Sequence, residues 1–123
     1  MNRLSLLATA TAIGLASLTT WAAAAAPDGN IGPTLLGAQV SSTATINFGA
    51  GATGALKIGT GTYEVQFERD VTQCIYTASA FAGNVATTVE PRSGNPNGVF
   101  LVIKNLTGTN TDDTFYLSVF CPK

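Results

Sequence analysis

Between Gly61 and Ala80 the sequence reads GTYEVQFERDVTQCIYTASA, and no other stretch restricts the fold as strongly. Tyr63, Val65 and Phe67 alternate with Glu64, Gln66 and Glu68. A period of two sends one set to a core and the other to water, which predicts a strand over residues 62–69. Arg69-Asp70-Val71-Thr72 breaks the alternation as a turn would. Cys74, Tyr76 and Ala78 then resume it against Ile75, Thr77 and Ser79. The expectation is a hairpin, with Glu64 and Glu68 as solvated charges on its polar face.

The same period recurs along the chain. Residues 38–48 alternate, with Val40, Ala44, Ile46 and Phe48 on one face. Gly49 to Gly54 reads as a flexible turn, and Leu56 and Ile58 as a short strand. Val85, Thr87 and Val89 give another strand. Arg92 to Gly98 is dense in turn formers, with Asn97-Gly98 suited to a tight turn because both residues tolerate positive φ. Val99 to Ile103 is apolar on both faces, which marks a strand buried on both sides or one whose outer face meets a partner. Phe115, Leu117, Val119 and Cys121 form the inward set of the last strand, opposite Tyr116, Ser118 and Phe120. No helical period appears beyond the N-terminal segment. These signals predict an all-β chain, a small antiparallel β-sandwich of about seven strands, with a small closed barrel as the alternative.

The first 25 residues read as a signal peptide. One positive charge at Arg3 precedes an uncharged stretch from Leu4 to Ala26 that ends in small residues. That order matches a secretory leader cut after Ala24 or Ala25. Residues 26–37, with Pro27, Asp28, Gly29, Asn30, Gly32 and Pro33, read as a flexible arm. The sandwich domain is expected over 38–123, in a secreted or periplasmic location and without a membrane span after cleavage. Removing the leader leaves five basic and seven acidic residues, a net charge of −2. Such a chain has no basic patch for a phosphate backbone, so nucleic acid is not an expected partner.

Cys74 and Cys121 are the only two cysteines. An even count in an exported chain favours a disulfide. Each belongs to the inward set of its strand, so the bond would tie the central hairpin to the last strand. There is no Cys-x-x-Cys spacing and no histidine anywhere, which leaves neither a redox pair nor a ready metal site.

The missing histidine also removes the usual base that activates a serine or cysteine nucleophile. Glu64 and Glu68 stand four residues apart on one strand, about 13 Å at the strand rise. That exceeds the carboxylate separations of glycoside hydrolysis. Asn110, Asp112 and Asp113 could offer oxygen ligands to Ca²⁺, but an ordinary polar loop has the same composition. A hydrolase pocket would have to gather Asp70, Glu90, Asp112 or Asp113. No catalytic residue, metal ligand or cofactor is therefore assigned. The candidate interface is Val99, Phe100, Leu101, Val102 and Ile103 with Tyr116 and Phe120.

Three segments resemble a recurrent bacterial exported β-domain. They are Gly59 to Tyr76, with GTGTYEVQF, RDV and CIY; Arg92 to Phe100, RSGNPNGVF; and Phe115 to Cys121, FYLSVFC. The resemblance covers about half of the chain. It implies an exported β-sandwich with paired cysteines, as a stand-alone protein or a C-terminal module, and brings no catalytic residues. Relatives often carry His after the Phe of the last strand, where this chain has Tyr116. The function expected is a non-enzymatic structural or interaction module, with self-association as one outcome and an unknown cell-surface or extracellular partner as another. The alternative is a small ligand-binding domain for carbohydrate or lipid.

Overall fold

A computed structural model describes residues 33–122. The signal peptide and residues 26–32 of the expected arm lie outside the described residues. The described chain is all-β, with no helix. Its eight strands are β1 (Thr34–Val40), β2 (Ile46–Ala50), β3 (Ala52–Gly59), β4 (Thr62–Phe67), β5 (Ile75–Ala80), β6 (Val85–Pro91), β7 (Gly98–Asn105) and β8 (Phe115–Cys121). They form two four-stranded antiparallel sheets, ordered β2-β1-β8-β5 and β3-β4-β7-β6. The architecture is the sandwich rather than the closed barrel.

The core lies between the sheets and is built by the alternation. Leu36, Ala38 and Val40 of β1 face Leu117, Val119 and Phe115 of β8 across the ladder. From the other sheet come Tyr63, Val65 and Phe67 of β4 with Val99, Leu101 and Ile103 of β7. The Tyr63 and Phe115 rings meet 5.0 Å apart at a tilt, which joins the sheets near their centre.

Four expectations need correction. First, residues 38–48 are two strands. Ser41 turns the chain: its backbone N–H donates to Thr45 O and its Oγ accepts from the Thr45 N–H, with Ala44 at φ +64°. The turn and a bulge are invisible to a count of apolar positions. Val40 pairs with Ile46 but Gln39 pairs with Phe48, so Asn47 is the extra residue. A bulge of this kind shifts the side-chain alternation by one. Ile46 therefore packs inward while Phe48 points outward and is 62% exposed. Thr34 to Gly37, read as the end of the arm, is the first half of β1.

Second, β4 and β5 are not a hairpin. The segment between them carries the chain from one sheet to the other, and β5 pairs with β8. The inward set of β5 stands as expected, because alternation fixes the face of a strand but not its neighbour. Third, the expected flexible turn over Gly49–Gly54 lies mostly in β2 and β3, with only Gly51 at positive φ between them. Fourth, the positive φ of the β6–β7 connection belongs to Gly94 and not to Asn97-Gly98. That connection is a double turn, closed by Asn95 N to Arg92 O and Gly98 N to Asn95 O.

Cys74 and Cys121 form the expected disulfide. It joins the segment entering β5 to the end of β8, two neighbouring strands of one sheet.

Candidate interaction face

The seven residues expected to form an interface do not share a surface. Val99, Leu101 and Ile103 are completely buried in the core, so they offer nothing to a partner. This corrects the reading of Val99–Ile103 as one interface strand. Phe100 and Val102 lie on the opposite face of β7, each half-buried. Tyr116 and Phe120 are exposed on the outer face of β8, which belongs to the other sheet.

The outer face around Phe100 is covered by the chain itself. The Arg92–Asn97 connection folds back across β4 and β7. Arg92 Nε pairs with Glu64 Oε2 at 2.8 Å, and its guanidinium sits 5.4 Å from the Phe100 ring centre. Asn95 Nδ2 donates to Glu64 Oε1 and to Gln66 Oε1, both at 2.8 Å, and Gln66 Nε2 also donates to Glu64 Oε1. Glu64 is only 6% exposed, so it is a buried, fully partnered carboxylate and not the solvated charge that alternation suggests. A side chain at Gly98 would run into Asn95 Nδ2 at 2.8 Å, which explains the glycine beneath this flap. The RSGNPNG segment thus works as a latch.

The carboxylates of the last loop serve the fold as well. Asp112 Oδ1 accepts from Gly61 N–H at 2.8 Å and from the Tyr63 hydroxyl at 3.1 Å, and Asp112 Oδ2 pairs with Lys57 Nζ at 2.6 Å. The Gly61 N–H, then Lys57, hold the Asp112 carboxyl below its ordinary pKa. Asp113 accepts from the backbone N–H groups of Ala82 and Thr114. All four oxygens therefore have donors within the chain. Among the described residues no group of three acidic, Cys or His side chains is placed to hold a metal ion. Asp112 closes the Gly61 end of β4 while Asp70, beyond its Phe67 end, accepts from Thr72. The carboxylates considered for a hydrolase pocket therefore do not converge.

Tyr63 reports on this buttress. Burial, and then its bond to Asp112, push the phenol from an ordinary 10.0 up to about 12. The folded protein thus holds this proton more tightly than the unfolded chain does. The resulting stabilisation is complete below pH about 10 and disappears as pH rises through about 12, a loss of about 3 kcal/mol. Denaturant melts between those pH values should show the decline. Tyr63→Phe should flatten it, leaving the share of Tyr76, whose phenol burial also raises. An unchanged slope in Tyr63→Phe would assign the decline elsewhere.

The other sheet's outer face has no such cover. In β1, β2, β5 and β8 there is no Asp, Glu, Lys or Arg, whereas the opposite sheet carries Lys57, Glu64, Glu90 and Lys104. The pairing register arranges the outward residues in rows across the strands. Leu35, Phe120 and Ile75 form one row. Ala50, Gly37, Ser118 and Thr77 form the next. Phe48, Gln39, Tyr116 and Ser79 form the third. Large side chains thus flank a row of small ones. Part of this row opens into a depression of about 440 Å³ lined by Leu35, Gly37, Phe48, Ala50, Tyr116 and Ser118. A side chain at Gly37 would meet Leu117 O at 2.8 Å, so the close backbone approach keeps the floor low.

Against known proteins, the chain matches no family model, no curated protein and no solved structure.

The sequence singled out Tyr116 and Phe120 on this face and missed Leu35, Phe48 and Ile75. Leu35 was hidden by the Pro- and Gly-rich segment before it. Phe48 was placed inward because a bulge leaves no mark on the apolar count. Ile75 was available: it falls on the outward set of β5, and a β-branched residue there is a usable signal.

Proposed function

We propose that this chain is an exported, non-enzymatic structural or interaction module that works through the outer face of the β2-β1-β8-β5 sheet. One observation carries the reading: this face is uncharged and exposes Leu35, Phe48, Ile75, Tyr116 and Phe120 together. Apolar side chains clustered on one face mark interaction surfaces, whereas scattered ones are ordinary. Export is supported by the leader-like first 25 residues and by a disulfide, which persists in oxidising compartments. The lack of histidine in the sequence and the engagement of Asp112, Asp113 and Glu64 within the fold support a role without catalysis.

A second reading, a small binder of carbohydrate or lipid, rests on the depression between Phe48 and Tyr116. The aliphatic tips of Leu35 and Ile75, more than 60% exposed, suit a protein surface better than a sugar ring.

Carbene footprinting of the exported protein in its native surroundings, set against the purified protein at high dilution, tests the interaction reading. Leu35, Ile75 and Phe120 should be shielded in the native setting and labelled when dilute. Equal labelling in both overturns it.

A further inference from the structure

We propose that the occupant of this face is a second copy of the chain, packed sheet against sheet about a two-fold axis. The inference rests on the interaction reading above and adds the partner. A two-fold interface sets each patch against its own copy, so any charge near the axis meets its own sign. The mature chain has a net charge of −2, and two copies repel over most of their surface. The β2-β1-β8-β5 face is the sheet surface on which that cost vanishes, because its strands contain no ionisable acid or base of the Asp, Glu, Lys or Arg type. The opposite outer face has Glu90 and Lys104 exposed and Arg92 folded over Phe100.

The relief of the face is self-complementary. Rows on one face of a strand recur every two residues, about 6.7 Å. The row Leu35, Phe120, Ile75 of one copy can settle over the small row Ala50, Gly37, Ser118, Thr77 of the other, and the two-fold axis repeats the contact in reverse. Stacked sheets pack about 10 Å apart through interdigitated side chains of this kind. A partner with acidic or basic contacts would find nothing to pair with here, while a second copy brings the same neutral, ridged surface.

The size of the face sets the strength. Four strands about 4.8 Å apart and seven residues long, at about 3.3 Å each, cover about 440 Å² of sheet per copy. A total near 900 Å² belongs with weak, reversible interfaces. The expected behaviour is a monomer–dimer equilibrium visible in the micromolar to millimolar range, and not a permanent dimer.

Sedimentation velocity of the mature, oxidised protein over that range is the test. The average mass should climb toward twice the monomer. Phe120→Glu and Ile75→Glu should each weaken dimerisation at least tenfold, while Thr88→Glu, on the opposite outer face, should leave it unchanged. Footprinting of the unmodified protein at low and high concentration reads the same contact without a variant, and should shield Leu35 and Phe120 only at high concentration. A protein that stays monomeric throughout, or dimers indifferent to both substitutions on this face, overturns the proposal. Monomers in isolation combined with shielding in the native setting would overturn the second copy alone and leave the interaction reading with another partner. The absence of shielding in every setting would remove both.

Discussion

Mature protein carrying Cys74→Ala and Cys121→Ala together should lose about 4 kcal/mol of unfolding free energy. The bond closes a loop with a sequence separation of 47, and its removal releases that loop in the unfolded chain. Cys121 is completely buried at the end of β8 and Cys74 packs against the core, so alanine at both positions also leaves a small void. Domains of this size have about 5–15 kcal/mol in total, so the bond accounts for a large share. The melting temperature should fall by about 15–30 °C. The denaturant m-value should rise, because an unstapled chain exposes more surface when unfolded. A double variant that melts within a few degrees of the oxidised protein would show that the core of the two sheets suffices. The same comparison with reductant should shift in the same direction, and it avoids substitution altogether.

Gly61→Ala should cost about 3–4 kcal/mol, although it adds a single methyl group. Gly61 has φ +62°, a left-handed conformation that an L side chain adopts at a penalty of about 1–2 kcal/mol. The added Cβ would also lie 2.6 Å from Ile103 O and 2.7 Å from both the N and the O of Thr111. All three are backbone atoms, and each has a place in the structure. Ile103 N–H donates to Gly61 O, Thr111 N–H donates to Ile103 O, and Asp112 takes the Gly61 N–H. Moving them would disturb the Asp112 buttress and the buried hydroxyl of Tyr63 together. Gly83→Ala supplies the contrast, since its φ lies outside the left-handed region and its Cβ would meet nothing within 4 Å. Chemical denaturation of both variants should separate them by more than about 2 kcal/mol. Equal stabilities would refute the close packing of the Thr111 segment over Gly61.

The two predictions differ in how early they could have been made. The disulfide follows from two cysteines in the inward sets of alternating strands in a chain with a leader. The Gly61 contact needs three segments brought together, β4, β7 and the loop before β8, and nothing near Gly61 in sequence announces them. Glu64 shows the same divide. Alternation placed it opposite Tyr63 and Val65, which is correct, and water was the default on that side. The Arg92–Asn97 latch, about 30 residues away, replaces the water there, and only the folded chain brings it close.

For the candidate face, Tyr116 and Phe120 were legible because β8 alternates without interruption. Phe48 was not, because the bulge opposite Gln39 reverses the side on which it stands. Val99 to Ile103 were assigned to an interface from a run of apolar residues. A run of that kind is equally a strand whose inner set fills the core and whose outer set lies under a covering loop, as Phe100 lies under Arg92.

By itself the sequence determined the local quantities: which segments extend, which side of each strand is apolar, and that two inward cysteines can pair. These depend on a period of two and on residue chemistry, which are written along the chain. Only the tertiary structure decided which strand neighbours which, that β4 and β5 belong to different sheets, and that one outer face is latched while the other is bare and free of charge. Those depend on contacts between residues tens of positions apart, where a one-residue bulge or a folded-back loop changes what a side chain meets without changing the pattern around it.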